Sequence, residues 1–379
     1  MEVSTVLAKR KLKIKDSIFF MAPLSLMCAL WYQPASAQEV GGCQLPNSGR
    51  LSGAIELQSN CTYPQGITVS DSNTHIDCKG ATLDGKHSEK IGILISSEGR
   101  SLRNVSVKNC TVKNFSQTGV LVTSEIPNYK RSNDHEKNYN ETPTNVTLDS
   151  LNVLSNDGAG VYFHSYVSNS TLKNSRIEKS KAEGIYLDQS SRGNHILNNT
   201  IKNNGELDGP NSGQRVGLAI DSSAKNLVEN NKFIGNFGGG VFLYKNCGEN
   251  FSKGMSVIRW QHSDENTIKN NVFDGEKVGV WIASRQSSNL QRKDCGDKPL
   301  DADGKYYQDF ANNNTITGNK FCRNKTYIRV EGDNNTITNN RSDNNGRWVV
   351  EPTSMKTRLT GIPTTGNKIT NNSFEKCEI

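Results

Sequence analysis

Residues 194–201 read Asn194-His-Ile-Leu-Asn-Asn-Thr-Ile201, and the same pattern returns along most of the chain. It consists of an asparagine, an aliphatic residue two positions later, an Asn-Asn pair and a closing apolar residue. Further copies begin at Asn226, Asn266, Asn314, Asn335 and Asn367, with looser ones at Asn104, Asn145 and Asn169. The copy at Asn314 has Gly318 in place of the first asparagine of the pair, and the copy at Asn335 closes on Ser342. The shortest spacings between copies are 21 and 24 residues, and the longer ones are the same unit plus a loop. A period of this size is typical of a solenoid.

The local composition indicates a solenoid built from strands. The apolar runs are short and alternating, glycine and asparagine are frequent, and a helical period of 3.6 residues is almost absent. Asparagine tolerates the left-handed conformation of a tight bend, and stacked asparagine side chains can hydrogen-bond from one coil to the next. We therefore interpret the repeated asparagines as structural, and expect Asn199, Asn231, Asn271, Asn319 and Asn372 to form one column.

A second repeated strand opens with glycine. Its copies are Gly92–Ser96, Gly119–Thr123, Gly160–His164, Gly184–Asp188, Gly217–Asp221, Gly240–Tyr244 and Gly279–Ala283. The second and fourth residues are always Ile, Val, Leu or Phe and should point into the core, so the third and fifth should point outward. The outward third column is Leu94, Leu121, Tyr162, Tyr186, Ala219, Phe242 and Trp281. The outward fifth column is Ser96, Thr123, His164, Asp188, Asp221, Tyr244 and Ala283.

Over roughly residues 73–374 these repeats resemble the right-handed parallel β-helix proteins of the pectin-lyase-like superfamily. The resemblance implies an all-β, single-domain solenoid of about ten coils with long loops beside a groove. We expect residues 38–72 to cap the N-terminal end and residues 73–379 to form the β-helix. The resemblance also implies similarity to polysaccharide lyases and C5-epimerases. However, the chain lacks the Asp-Pro-His-Asp motif of alginate epimerases and the Asn-Thr-Asp, Asp-Asp and Gly-His-Gly set of polygalacturonase-like hydrolases.

The first 37 residues have the pattern of a cleaved signal peptide: a basic start, an apolar run and the small-x-small sequence Ala35-Ser-Ala37. The formal net charge is +7, and the leader contributes +3 of it, so the mature chain is near +4. This weak charge does not indicate nucleic-acid binding. We expect a periplasmic or secreted bacterial protein, without a transmembrane segment after cleavage and monomeric.

The mature chain keeps eight cysteines, an even number that favours disulfides in an exported protein. Cys78 and Cys110 occupy similar places in successive coils, so a bond between coils is expected. Cys247 and Cys295 lie in loops that leave the same edge of the glycine-led strand, and we expect them to be bonded across a groove.

The outward columns supply the candidate active site. His164, Asp188 and Asp221 fall on successive coils about 4.8 Å apart. Two such aspartates repel unless one holds a proton or a cation lies nearby. Arg215, Lys245 or Arg285 could supply that cation, as could calcium, although no cofactor is certain and no metal ligand set is predicted.

Three functions follow from these residues. The first is C5 proton abstraction from a uronate of an acidic polysaccharide, with His164 or Lys245 as base and Tyr162, Tyr186 or Tyr244 as acid. Arg215, Phe242, Trp281 and Arg285 would bind the polymer. The second is glycoside hydrolysis by Asp188 and Asp221. The third is a polysaccharide-binding or envelope assembly module without turnover.

Overall fold

The computed structural model describes residues 43–206, 215–350 and 354–377. The predicted signal peptide lies outside the described residues. The described chain is a parallel β-helix made of three sheets with eleven strands each, and within each sheet the strands follow one another in chain order. This arrangement confirms the predicted all-β solenoid.

The glycine-led strands form the first sheet. Its strands are Arg50–Leu51, Ile67–Val69, Ile91–Ser96, Thr118–Thr123, Val161–Phe163, Ile185–Leu187, Leu218–Asp221, Val241–Tyr244, Val278–Ile282, Thr326–Val330 and Arg347–Val350.

The two halves of the asparagine pattern form the other two sheets. The strands of the second sheet are Ala54–Glu56, His75–Asp77, Arg103–Lys108, Thr144–Asp149, Thr171–Lys173, His195–Leu197, Leu227–Glu229, Thr267–Lys269, Thr315–Thr317, Thr336–Thr338 and Lys368–Thr370. Those of the third are Thr62–Tyr63, Thr82–Asp84, Thr111–Lys113, Asn152–Leu154, Arg176–Glu178, Thr200–Lys202, Lys232–Ile234, Val272–Asp274, Lys320–Cys322, Arg341–Ser342 and Ser373–Phe374.

Within the described ranges, helical segments occur in loops and just before the first strand. Helix α1 spans His135–Asn140 and helix α2 spans Met355–Thr360, and short 3-10 turns occur at Pro46–Gly49, Asn128–Lys130 and Gln291–Lys293. Among the described residues, no helix has the length and apolar character needed to cross a membrane.

The first coil begins earlier than the sequence boundary at residue 73. Residues 50–69, inside the segment expected to be a cap, already contribute strands to all three sheets. These strands lack the asparagine pattern, so the repeat could not be recognised there. Before them, Cys43 is bonded to Cys61.

The two residues of each Asn-Asn pair have different structural roles. The first takes the left-handed conformation, as Asn230 does at φ 57°. The second is buried and accepts a hydrogen bond from the backbone N–H of its counterpart one coil earlier, as Asn231 does from Asn199 at 2.9 Å. The five predicted residues belong to this one column, and Asn340 lies between Asn319 and Asn372.

The core and the glycine positions follow from the same stacking. Phe233, Phe273 and Phe321 stack coil upon coil, with ring centroids 4.9 Å apart. At the glycine positions the next coil approaches very closely: a Cβ added to Gly160 would lie 2.6 Å from the carbonyl oxygen of Gly184. Glycine is therefore needed at this position, at the start of a strand of the first sheet.

Candidate active site

The predicted outward columns are present on the first sheet. Tyr162 pairs with Tyr186, then Ala219, Phe242 and Trp281 follow in register. The Tyr162 and Tyr186 rings stack with centroids 4.9 Å apart. The prediction for Ala283 is wrong: the strand ends at Ile282, and Ala283 turns with φ 56° and is buried in the core.

Tyrosines and aspartates interact diagonally between the two columns. The Tyr162 hydroxyl donates a hydrogen bond to Asp188 Oδ2 at 2.8 Å, and the Tyr186 hydroxyl donates to Asp221 Oδ2 at 2.7 Å. Each tyrosine thus reaches the carboxylate on the following coil. Burial, together with the neighbouring aspartate charge, raises the pKa of both tyrosines well above the ordinary value. Both phenols therefore stay protonated at neutral pH.

Asp221 is fully buried and its oxygens are occupied by donors. Besides the Tyr186 hydroxyl, it accepts hydrogen bonds from Ser222 Oγ at 2.9 Å and from the backbone and side-chain nitrogens of Asn246 at 3.2 Å. Burial, and then repulsion from Asp188, raise the pKa of Asp221 above the ordinary value. Asp221 is therefore an electrostatic and structural partner of the site and is not open to a ligand.

His164, Asp188 and Asp221, which follow one another on successive coils, form what we call the acidic row, and His164 is its partly open member. Its Nδ1 lies 3.1 Å from the Thr123 hydroxyl and its Nε2 lies 3.8 Å from Asp188 Oδ2. About a quarter of its side chain is exposed, at 24%. Burial of the rest lowers the pKa of the imidazole, against the opposing attraction of Asp188. His164 is therefore neutral at neutral pH and can accept a proton.

The three basic residues predicted from the sequence are each paired with an acid. Lys245 pairs with Asp297, Arg285 with Glu249, and Arg215 with Glu183 at 2.6 Å. Arg285 also lies over the Tyr244 ring, with its guanidinium carbon 4.5 Å from the centroid. Lys245 is buried, and its described partners do not include the site aspartates. Arg215 and Arg285 thus lie beside the tyrosines, whereas Lys245 belongs to a loop contact.

Two arginines that the sequence did not single out supply positive charge to the acidic row. Arg259 is buried, and its guanidinium binds Gln189, the residue after Asp188. Its Nε has no hydrogen-bond partner in the part of the chain that the structure describes. Arg259 is the strongest cationic influence on the pKa of Asp221, opposing the increase that burial causes. Arg131 donates to Ser124 Oγ at 3.0 Å and also acts electrostatically on Asp188. Both arginines lie in loops, where the repeat gives no register.

The aromatic column is only partly accessible. Phe242 and Tyr244 are buried in a small cluster with Val216 and Ala219. Tyr162, Tyr186 and Trp281 are half-buried. The guanidinium carbon of Arg329, on the next coil, lies 4.1 Å from the centroid of the Trp281 ring. An aromatic contact with a ligand would therefore come from the two tyrosines and Trp281, and Phe242 packs edge-on against the Trp281 ring with centroids 5.2 Å apart.

The groove loops are joined as predicted. Cys247 is bonded to Cys295, and the bond between Cys78 and Cys110 is also present. A fourth bond joins Cys322 to Cys377. Below the loops, Asp309 accepts backbone hydrogen bonds from Lys245 at 2.5 Å and Arg285 at 2.8 Å, which holds the two loop starts together.

A family model described as "Right handed beta helix region" matches residues 66–257, which is half of the chain. The chain belongs to the right-handed β-helix family. No curated protein matches its sequence significantly. The matched residues include the outward fifth column from Ser96 to Tyr244.

Solved structures resemble this β-helix in fold. An alginate lyase from Paenibacillus is 13% identical with a TM-score of 0.50, covering 78% of this chain and 90% of that one. The mannuronan C-5 epimerase AlgE4 A-module from Azotobacter vinelandii is 11% identical, with a TM-score of 0.46 and coverage of 87% and 83%. A tailspike of E. coli bacteriophage HK620 is 12% identical, with a TM-score of 0.49, covering 85% of this chain and 60% of that one.

The site does not have the ligand set of a metal centre. Among the described residues of this β-helix, no group of three or more His, Cys, Asp and Glu side chains could hold a metal ion. The oxygens of Asp221, which would be an obvious ligand, are already hydrogen-bonded. The residues present therefore do not fit calcium at the acidic row, and positive charge there comes from arginine.

Proposed function

We propose that this protein acts on an acidic polysaccharide by abstracting the C5 proton of a uronate residue, as a lyase or as a C5-epimerase. The observation that supports this most is the contact chain Thr123–His164–Asp188–Tyr162. In this contact chain a protonated phenol donates to the Asp188 carboxylate, and a neutral, partly open imidazole lies 3.8 Å from the same carboxylate oxygen. A base and an acid held together in this way are what proton abstraction at a carbon atom needs.

His164 would act as the base in both reactions. Its Nε2 takes the C5 proton, and the C–H electron pair moves into the uronate carboxyl group as an enolate. In a lyase the electrons return to form a C4–C5 double bond, the C4–O bond breaks, and the departing oxygen takes a proton from Tyr162. In an epimerase Tyr162 instead returns a proton to the opposite face of C5. Asp188 stabilises the imidazolium that forms.

Charge in the surrounding loops favours an acidic polymer. Arg131 and Arg259 place positive potential at the row, and Arg215 and Arg285 lie beside Tyr186 and Tyr244. Positive potential favours both binding of a uronate and the enolate that forms from it. We propose Arg215, Arg285 and Trp281 as polymer contacts, with Phe242 supporting Trp281. The alginate lyase with a similar fold is named for activity on one such polymer.

Glycoside hydrolysis by two aspartates is disfavoured by burial. That reaction needs both carboxylates to reach the glycosidic bond or a water molecule beside it. Asp221 is buried and holds four hydrogen-bond donors from the protein. Lys245, the other candidate base, is paired with Asp297.

We also propose that the chain is exported, with residues 1–37 removed, and acts as a monomer in the periplasm or outside the cell. The four disulfides support an oxidising compartment. N-terminal sequencing of protein recovered from a bacterial periplasm should begin at Gln38. A start at Met1 would contradict cleavage.

The reaction is tested by incubating the mature protein with polymannuronate, polyguluronate, polygalacturonate and polyglucuronate. A lyase produces unsaturated chain ends, detected by ultraviolet absorbance. An epimerase converts part of the uronate residues into their C5 epimers without cutting the chain. New reducing ends without unsaturation would indicate hydrolysis and contradict the proposal. Binding without any of these changes would indicate a non-catalytic module.

A further inference from the structure

A second cleft, whose lining does not include His164, Asp188 or Asp221, lies where the chain passes from the first sheet to the second. It has a volume of about 330 Å³ and is lined by Arg192, Ala224, Lys225, Trp260, Gln261, His262, Asp264 and Glu265. This size is at the lower end of the range for ligand clefts. The turn residues Arg192 and Ala224 are joined by a parallel bridge, so the floor of the cleft is part of the solenoid itself.

The Trp260 ring is exposed but held in a fixed position. It stacks on His135 with centroids 4.2 Å apart, and its Nε1 donates to the Tyr166 hydroxyl at 3.2 Å. His135 is in turn fixed by the same hydroxyl at 2.9 Å. Even so, 43% of Trp260 remains in contact with solvent. A large exposed aromatic ring whose orientation is set by several contacts is a prepared stacking surface.

The neighbouring residues are equally well fixed. Gln261 is buried and donates to the backbone oxygens of Ser191 at 2.8 Å and Ser222 at 3.0 Å. His262 stacks on Phe310 with centroids 4.3 Å apart. Residues 260 and 262 therefore present two rigid rings to the cleft, with the segment between them anchored to the coils.

The rim carries charged groups of both signs in weak pairs. Lys225 lies 3.7 Å from Glu265, and Arg192 lies 3.2 Å from Glu136. The guanidinium carbon of Arg192 also lies 3.6 Å from the centroid of the Tyr139 ring, so Lys225 is the more loosely held of the two cations. Exposed ion pairs of this kind contribute little to stability, so their donors and acceptors can change partners cheaply. A sugar ring offers what this cleft can bind: an apolar C–H face for the tryptophan and hydroxyl groups that both donate and accept hydrogen bonds.

We propose that the Trp260 cleft, defined by the lining residues above, is an auxiliary carbohydrate subsite that holds a pyranose ring of the polymer. The inference rests on the proposed function only in taking the ligand to be a glycan, since the cleft is separate from His164 and Asp188. It would retain a polymer chain beside the groove without taking part in the reaction.

The test compares retardation in native gels containing polymannuronate, polygalacturonate or neutral mannan. Trp260→Ala should weaken binding to the retained polymer by about three- to tenfold, the loss expected for one aromatic contact. Phe374→Ala is the matched control, because Phe374 is a more exposed aromatic residue, at 60%, on the last strand of the third sheet. It should bind as the wild type does.

Lys225→Ala provides a second variant on an exposed side chain, in case loss of Trp260 disturbs helix α1. It should weaken binding by about threefold with an unchanged melting temperature. Equal retardation of wild type, Trp260→Ala and Lys225→Ala would overturn the subsite, as would a wild type that no polymer retards. A dimer in sedimentation that Trp260→Ala abolishes would also overturn it and indicate protein association. Retardation and turnover are separate readouts, so a loss of turnover in His164→Ala counts neither for nor against the subsite.

Discussion

At the scale of single residues, the candidate site depends on keeping His164 unprotonated beside two aspartates. Burial lowers the pKa of the imidazole, while Tyr162 and Tyr186 satisfy one oxygen of each carboxylate. His164→Ala and Asp188→Asn should each remove most turnover. Both variants should stay folded, because asparagine keeps the size of the buried Asp188 and an oxygen for the Tyr162 hydroxyl, and the His164 side chain is partly exposed. Asp149→Asn, on the second sheet, is the control and should retain turnover; full activity of both site variants would place the chemistry elsewhere.

Arg259 gives a prediction about pH. Turnover needs neutral His164, so the acid limb of the kcat/KM profile should lie below the ordinary imidazole pKa. Positive charge on Arg259 contributes to this lowering, after burial. Arg259→Gln removes that charge, stabilises the imidazolium and should move the acid limb to higher pH. Arg176→Gln, an exposed substitution on the third sheet, should leave the limb in place. An unmoved limb in a folded Arg259→Gln variant would exclude this role.

The residues differ in how far the sequence could predict them. His164, Asp188 and Asp221 follow from the period of the strand, because alternation fixes which side chains face outward. Arg131 and Arg259 were missed because they lie in loops, whose path depends on contacts with other loops. The burial of Phe242 and Tyr244 was missed for the same reason. The strand pattern predicts the direction in which a side chain points, but not which loops cover that side chain.

At the scale of the structural element, the asparagine ladders hold the coils together, and one contains an acid. Glu276 occupies a ladder position, accepting from Asn236 Nδ2 at 2.8 Å and donating its backbone N–H to Asn324 Oδ1 at 2.7 Å. Burial raises the pKa of its carboxyl to about 8. The Asn-Asn pattern predicted the column that contains Asn199 and Asn231. It did not predict the ladder of Glu276, whose members lie outside that pattern.

Glu276 should make stability depend on pH. Between the ordinary carboxyl pKa and about 8, the folded protein holds a proton that the unfolded chain releases. Stability therefore falls as pH rises through this window and stays low above it. Glu276→Gln mimics the protonated form, so its melting temperature should exceed that of the wild type at pH 9, and the gap should narrow towards pH 5. Glu56→Gln, on an exposed side chain, should give a gap near zero throughout. A constant gap for Glu276→Gln would refute the titration.

At the scale of the whole molecule, a regular solenoid carries irregular loops on one side. The disulfide between Cys247 and Cys295 closes 48 residues of chain and should contribute up to about 4 kcal/mol to the free energy of unfolding. Replacing both cysteines by serine should lower that free energy and also weaken polymer binding, since both residues belong to the groove loops. Replacing Cys43 and Cys61 by serine removes the disulfide that closes 18 residues at the N-terminal end of the β-helix. Because these residues do not belong to the groove loops, this replacement should lower stability without weakening polymer binding. Equal polymer binding by both double variants would show that the groove does not need the Cys247–Cys295 bond.

The central claim is that His164, beside Asp188 and Tyr162, removes the proton from C5 of a uronate. Its most direct test is solvent exchange: polymer and protein are incubated in D₂O, and deuterium at C5 or loss of hydrogen from C5 is measured by NMR. The wild type should exchange or eliminate the C5 hydrogen on at least one uronate polymer, and His164→Ala should not, while Asp149→Asn behaves as the wild type. A polymer that is cut with its C5 hydrogen intact, or exchange that persists in His164→Ala, would contradict the proposed function.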